Sequence, residues 1–199
     1  MNLSNLVPIT AVVAVTIFLS KEVLEVRRRK QADSRKINAI KRLLARDCEL
    51  NAWTIKSLIQ IYQKTQSEIK EEYGFIYSVV REPSGKHIFK TDYPDGDPSG
   101  TIPIPPVYRE TISKHLLDIA TLNEEFLHVA EAAYDALAEV QHVRDYLLGI
   151  EPDSSNSLDR EIDMGLAEYA LEELRDAKAP LDALYLFCTG KELTKHRLR

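Results

Sequence analysis

The sequence predicts a mainly α-helical protein, in which an N-terminal transmembrane helix continues into a long helix of a cytoplasmic bundle with a β-hairpin and long-loop insertion. Three observations support this fold class. Leu3–Ser20 has no charged side chain. Apolar residues recur at helical spacing through most of the remaining chain. Ten of the sixteen glycines and prolines fall between Gly74 and Pro106, which marks the insertion.

The uncharged segment Leu3–Ser20 has the composition of a short transmembrane helix. Its 18 residues would span ~27 Å at ~1.5 Å per residue, close to a hydrocarbon core of ~30 Å. Pro8 lies in the first turn, where its missing N–H costs least. The segment lacks the preceding basic residues and cleavage site of a signal peptide and the periodic polar residues of an amphipathic anchor. We therefore predict a transmembrane anchor over residues 1–20.

A basic juxtamembrane segment follows at residues 21–36. Residues 21–46 carry a net charge of +7 within a chain of net charge −5. By the positive-inside rule, the bulk of the chain lies in the cytoplasm and the N-terminus lies outside the inner or plasma membrane. These charges serve either as a plain topology signal or as contacts to anionic lipid. The predicted lipid contacts are Lys21, Arg27, Arg28, Arg29 and Lys30. No nucleic-acid partner is expected, because the block lacks interleaved aromatic residues.

Residues 37–190 form the predicted cytoplasmic helical domain, and residues 191–199 form a basic tail. Ile9–Tyr73 contains neither glycine nor proline, which allows one helix to run from the anchor into the bundle and to end at Gly74. The sequence leaves open whether this helix is continuous; a break, if there is one, is placed at residues 33–34, where aspartate and serine side chains compete for backbone hydrogen bonds. Asn51 and Thr54 interrupt a strict heptad, which favours a bundle helix over a clean coiled coil.

The second half of the chain is again helical. Tyr108–Leu148 is free of glycine and proline, and a capping-box pattern over residues 121–124 predicts a helix break at 121–123. The last helix is predicted to begin near Ser157. Pro180 should kink or restart it, and Gly190 should end it.

The insertion, residues 74–107, is predicted to contain two strands and a long loop. Phe75–Val80 and His87–Asp92 are rich in aromatic and β-branched residues, and Glu82–Gly85 between them has turn chemistry. Tyr93–Tyr108 is predicted to be a loop of extended character, longer than most loops, and such loops are mostly functional.

The insertion carries apolar side chains on a piece too small to bury them alone. We predict that it contacts a protein partner. The alternative is that these side chains cover one side of the bundle. Pro103–Pro106 is predicted to form a polyproline II segment, either a stiff linker or a docking motif. The predicted contact residues are Phe75, Tyr77, Phe89, Tyr93, Ile102, Ile104 and Tyr108.

Two Glu-x-x-His pairs have the spacing of ligands in di-iron bundles: Glu125 with His128, and Glu139 with His142. On a helical wheel both histidines fall opposite the apolar face, so we predict that they face solvent and expect no metal or other cofactor. Asp95–Pro106 begins like a calcium loop, but a proline stands where the bidentate glutamate should be, which predicts a hydrophilic turn.

Neither a catalytic constellation nor a phosphate-binding or dinucleotide-binding motif is visible, so no catalytic residue is assigned and an enzyme is disfavoured. Cys48 and Cys188 lie in apolar helical surroundings, which predicts buried free thiols rather than a disulfide. Trp53 is most simply a core or interface residue.

Together these features predict a membrane-anchored accessory, scaffold or sensor subunit that binds a protein partner at the bilayer. One alternative is an enzyme with its site in residues 74–118. Another is a membrane effector that forms homo-oligomers through its span. The pairs Thr10 with Ala14 and Thr16 with Ser20 have the small-xxx-small spacing that such association uses.

Overall fold

The computed structural model describes residues 9–70, 76–93, 95, 98–149 and 160–193. Helix makes up 77% of these residues, and a three-stranded antiparallel sheet is inserted among the helices. The mainly α-helical prediction is confirmed. The elements are α1 Ile9–Lys70, β1 Ile76–Arg81, β2 His87–Asp92, β3 Pro98–Ile104, α2 Glu110–Leu122, α3 Glu124–Leu148, α4 Arg160–Asp176 and α5 Lys178–Thr189.

The chain divides into two compact units, Met1–Ile40 and Lys41–Arg199. In the first unit, α1 is helical through residues 33–34, so the question left open by the sequence is answered by a continuous helix at this position. Asp33 and Ser34 each cost only ~0.5 kcal/mol relative to alanine, and the arginine, lysine and alanine residues around them favour the helix. The predicted helix end at Gly74 lies outside the described residues.

No helix in the described part of the chain is both long enough and apolar enough to cross a bilayer. The predicted anchor is described only from Ile9 onward, because residues 1–8 lie outside the described ranges.

The second unit is a helical bundle centred on α3, which packs against α2, α4 and α5. Its buried residues recur every three or four positions, as a helix with one apolar face requires. Each large apolar side chain buried in this way stabilises the fold by about 1.5–3 kcal/mol. The buried residues of α3 are Phe126, Ala130, Ala133, Leu137, Val140, Val143 and Leu147.

The predicted break between α2 and α3 is confirmed, but its cap lies two residues later than the capping box indicated. Asn123, not Thr121, is the N-cap of α3, and its side-chain Oδ1 accepts a hydrogen bond of 2.6 Å from the backbone N–H of Phe126. The Thr121 hydroxyl donates to the Asp118 carbonyl at 2.9 Å. An asparagine accepts the N3 amide as well as a threonine does, so both were suitable by sequence.

Proline and glycine also set the ends of α5. Pro180 lies in its first turn, where a missing N–H breaks no helical hydrogen bond, so the chain restarts a helix there. Gly190 adopts a left-handed conformation, with φ of 70°, and ends the helix as predicted.

Most single side-chain predictions agree with the observed burial. His128 and His142 are exposed. Cys48 and Cys188 are free thiols, the first buried and the second half-buried. Burial raises the pKa of both, that of Cys188 to about 11, so neither is a reactive thiolate near neutral pH. Trp53 is 39% exposed and is therefore not a core residue.

We expect Asn123→Ala to lower the free energy of unfolding by about 1 kcal/mol, because the first turn of α3 loses its side-chain cap. Thr121→Ala is the matched control and should change stability little, since its hydroxyl only caps a carbonyl at the exposed end of α2. Urea unfolding of the full chain in mild detergent, followed by far-UV circular dichroism, measures both. An equal loss in the two variants would contradict the assigned cap.

Candidate partner-binding surface

The insertion is a three-stranded sheet rather than a hairpin and a loop. The predicted hairpin is confirmed as β1 and β2, with Val79 opposite Phe89. Residues 98–104, predicted as part of the long loop, form β3 and pair antiparallel with β2. Two prolines and a glycine within seven residues argued against a strand, because proline lacks the N–H that a central strand must donate.

The turn between β1 and β2 fixes their register. The Gly85 N–H donates to the Glu82 carbonyl at 2.8 Å, and the Glu82 N–H donates to the Lys86 carbonyl at 2.8 Å. Gly85 has φ of 82°, which glycine adopts without strain. This is a three-residue hairpin loop with a glycine bulge. Hydrogen-bonded pairs alternate with non-hydrogen-bonded pairs along an antiparallel ladder. Counting from Glu82, the backbone N–H and carbonyl groups of Val80 and Ser78 therefore also point toward β2.

After β3, residues 105–108 run in an irregular conformation over α1, where side chains satisfy their backbone groups. The Asn51 amide group donates to the Tyr108 carbonyl at 2.7 Å and accepts from the Tyr108 N–H at 2.8 Å. The Thr54 hydroxyl donates to the Pro106 carbonyl at 2.9 Å. Both α1 side chains are fully buried. The two residues that interrupted the heptad therefore hold the segment that connects the sheet to α2.

A third contact fixes the same segment to α3. Arg144 donates from Nε to the Pro105 carbonyl at 2.7 Å. One residue earlier on α3, the Val143 carbonyl accepts a hydrogen bond of 3.0 Å from the Tyr62 hydroxyl of α1. We call Asn51, Thr54 and Arg144 the segment clamp. It ties the C-terminal end of β3 to two helices of the bundle.

Two faces of the sheet follow from its register. Phe89, Thr91 and Ile104 share one face and are each at most 3% exposed. A Cβ on Gly100, on this face, would lie 3.2 Å from the Lys64 Nζ of α1, so the face packs against the helical bundle. We call it the inner face.

The opposite face of the sheet is more open to solvent. Val80 is 38% exposed, Thr101 and Pro103 are exposed, and Lys90 is half-buried. The strand register places three apolar residues side by side in one row across the sheet, and three polar residues in the next row. We call it the outer face, and its members are Val80, Ile88, Pro103, Ser78, Lys90 and Thr101.

The sequence selected contact residues by type, and most of them lie on the inner face. Phe89 and Ile104 are buried, so neither is available to a partner while the sheet stays packed. Tyr77 is half-buried and stacks on Phe89 with ring centroids 5.6 Å apart, and Ile102 is half-buried on the same face. Their positions fit the alternative that these side chains cover the bundle.

The other three predicted contact residues are Tyr93, Tyr108 and Phe75. Tyr93 is 43% exposed and remains accessible. Tyr108 is half-buried and its backbone is held by Asn51. Phe75 lies outside the described residues. The outer-face residues were not among the predicted contacts, although the period-two alternation of β1 and β2 places them opposite the buried set.

The five predicted lipid-contacting residues, Lys21, Arg27, Arg28, Arg29 and Lys30, are all exposed on α1. Arg29 donates to the Glu25 carboxylate at 2.9 Å, an ion pair one helical turn apart in which both side chains are mostly exposed. Such an exposed pair stabilises the helix by about 0.3–0.5 kcal/mol. It is therefore too weak to prevent the basic segment from binding another anion.

Comparisons of the chain with protein-family models, with curated proteins and with solved structures gave no match. The class of the protein is therefore defined by its architecture: a helical bundle that carries an inserted three-stranded antiparallel sheet.

We expect Asn51→Ala to destabilise the second unit by about 2–4 kcal/mol, because it removes two hydrogen bonds and leaves the Tyr108 N–H and carbonyl unsatisfied. Gln60→Ala, at an exposed position of the same helix, is the matched control and should be near neutral. Thermal unfolding of the full chain in mild detergent compares the two. A loss below about 1 kcal/mol, no more than one net hydrogen bond, would show that the clamp is dispensable.

Proposed function

We propose that this protein is a membrane-anchored accessory or scaffold subunit that presents a small, firmly held β-sheet to a protein partner on the cytoplasmic side of the bilayer. The observation that carries the proposal is the outer face, an exposed apolar and polar surface on a sheet whose other side is packed on the bundle.

The character of the first turns of α1 supports the anchor. Residues 11–19 are apolar except for Thr16, and every one is exposed in the chain by itself. The Thr16 hydroxyl donates to the Val12 carbonyl, and the Ser20 hydroxyl donates to the Thr16 carbonyl, both at 2.8 Å. Each polar side chain of residues 11–20 is thus satisfied within the helix, as a hydrocarbon environment requires. The basic residues begin directly afterwards, at Lys21.

The attachment of the sheet to the bundle supports the use of the outer face as a contact surface. The segment clamp and the buried Phe89 and Ile104 tie the sheet to the bundle. A surface ordered before binding loses little conformational entropy when a partner docks. Val80 and Pro103 offer apolar contact, and Lys90 and Thr101 offer hydrogen bonds around it.

Introducing two charges into the apolar part of α1 tests the anchor. In Val13→Lys/Ile17→Lys we expect loss of membrane retention, because each lysine in a membrane core costs about 2.5–3.5 kcal/mol. Extraction of membranes with alkaline carbonate measures retention of the full chain. Leu117→Lys, at a position 84% exposed on α2, is the control and should stay membrane-bound. Release of the unaltered protein by carbonate would contradict the anchor.

Charge substitution on the outer face tests the contact surface. We expect Val80→Glu/Pro103→Glu to weaken partner capture at least ~10-fold, the equivalent of about 1.4 kcal/mol, because two carboxylates would be desolvated in the interface. Capture from detergent extracts with the full chain as bait, quantified by mass spectrometry, provides the measurement. Leu117→Glu is the matched control. Unchanged capture by a folded double variant, or an equal loss in the control, would reject the outer face.

A further inference from the structure

The two edges of the sheet differ in how they are protected against pairing with another strand. On β3, the register directs the backbone groups of Ile102 and Ile104 toward β2 and those of Pro103 outward. Pro103 has no N–H, and the ladder is irregular at Thr91 and Asp92. Prolines and irregularities of this kind prevent a further strand from joining an edge.

The edge of β1 has neither device. Its sequence, IYSVVR, contains no proline or glycine and is rich in β-branched and aromatic residues. Val80 faces β2 with its backbone groups, so the N–H and carbonyl of Val79 and of Arg81 point away from the sheet. Among the described strands, β1 has a neighbour on one side only. An edge of this type is a template for an added strand.

We propose that β1 pairs with β1 of a second copy of this chain, antiparallel and centred on Val79, so that two sheets form one six-stranded sheet across a two-fold axis. Antiparallel self-pairing is symmetric and closed, so it needs no second type of surface. This dimer goes beyond the proposed function, because it uses the edge of the sheet rather than its outer face.

The register about Val79 is the one that the side chains favour. It brings the outward backbone groups of Val79 into a hydrogen-bonded pair with the same residue of the second copy. It keeps the two Arg81 side chains apart, whereas a pairing centred on Arg81 would oppose like charges. Ser78 then lies opposite Val80 of the second copy. Because one strand pair buries little area, we expect a weak dimer that depends on protein concentration.

Cysteine trapping tests this register. Residues in a non-hydrogen-bonded pair have Cα atoms about 4.5 Å apart, within the range that a disulfide spans. We expect an equimolar mixture of full-length Ser78→Cys and Val80→Cys chains, oxidised in mild detergent, to form at least five times more covalent dimer than either variant alone. The native thiols of Cys48 and Cys188 should form few cross-links, since burial raises the pKa of both.

A proline substitution provides the second measurement. Val79→Pro removes an outward N–H and leaves the hydrogen bonds to β2 in place, so we expect it to abolish trapping in both cysteine variants while the circular dichroism spectrum stays unchanged. If this variant does not fold, trapping in the mixture decides alone. No cross-linking in the mixture, equal cross-linking in the single-variant samples, or trapping that persists in folded Val79→Pro chains would overturn the pairing.

Discussion

The paired hydrogen bonds between the Asn51 side chain and the Tyr108 backbone are the contact on which the placement of the sheet depends. The segment they hold contains two consecutive prolines and cannot satisfy its own backbone groups by forming a helix or a strand. Buried backbone groups must nevertheless be paired. Asn51 supplies a donor and an acceptor in one planar group, so it pairs with both the carbonyl and the N–H of Tyr108.

Packing of the sheet follows from this attachment. Thr54 and Arg144 hold the two prolines that precede Val107 and Tyr108, so the end of β3 is fixed against α1 and α3. The inner face can then bury Phe89 and Ile104, and this apolar burial stabilises the sheet. The outer face takes no part in this packing, and for this reason we propose it as the partner-binding surface.

Charge is distributed in keeping with the division into two units. Basic side chains dominate residues 21–36, and within this segment Arg29 forms an exposed ion pair with Glu25. The rest of the chain is acidic. The solvent-exposed side of α3 carries Glu131, Asp135, His128 and His142. An anionic surface would attract the first unit and repel the second, which is consistent with a bilayer next to the basic segment.

The sequence by itself determined the features that depend on local chemistry. The helices follow from apolar residues at helical spacing, the hairpin from the turn at residues 82–85, and the ends of α5 from Pro180 and Gly190. Only the tertiary structure decided the rest. Two prolines and a glycine hid the strand character of β3 until its pairing with β2 was seen, and the choice of inner face needs the bundle. Asn51 looked like a defect in a heptad until its partner, 57 residues away, was in place.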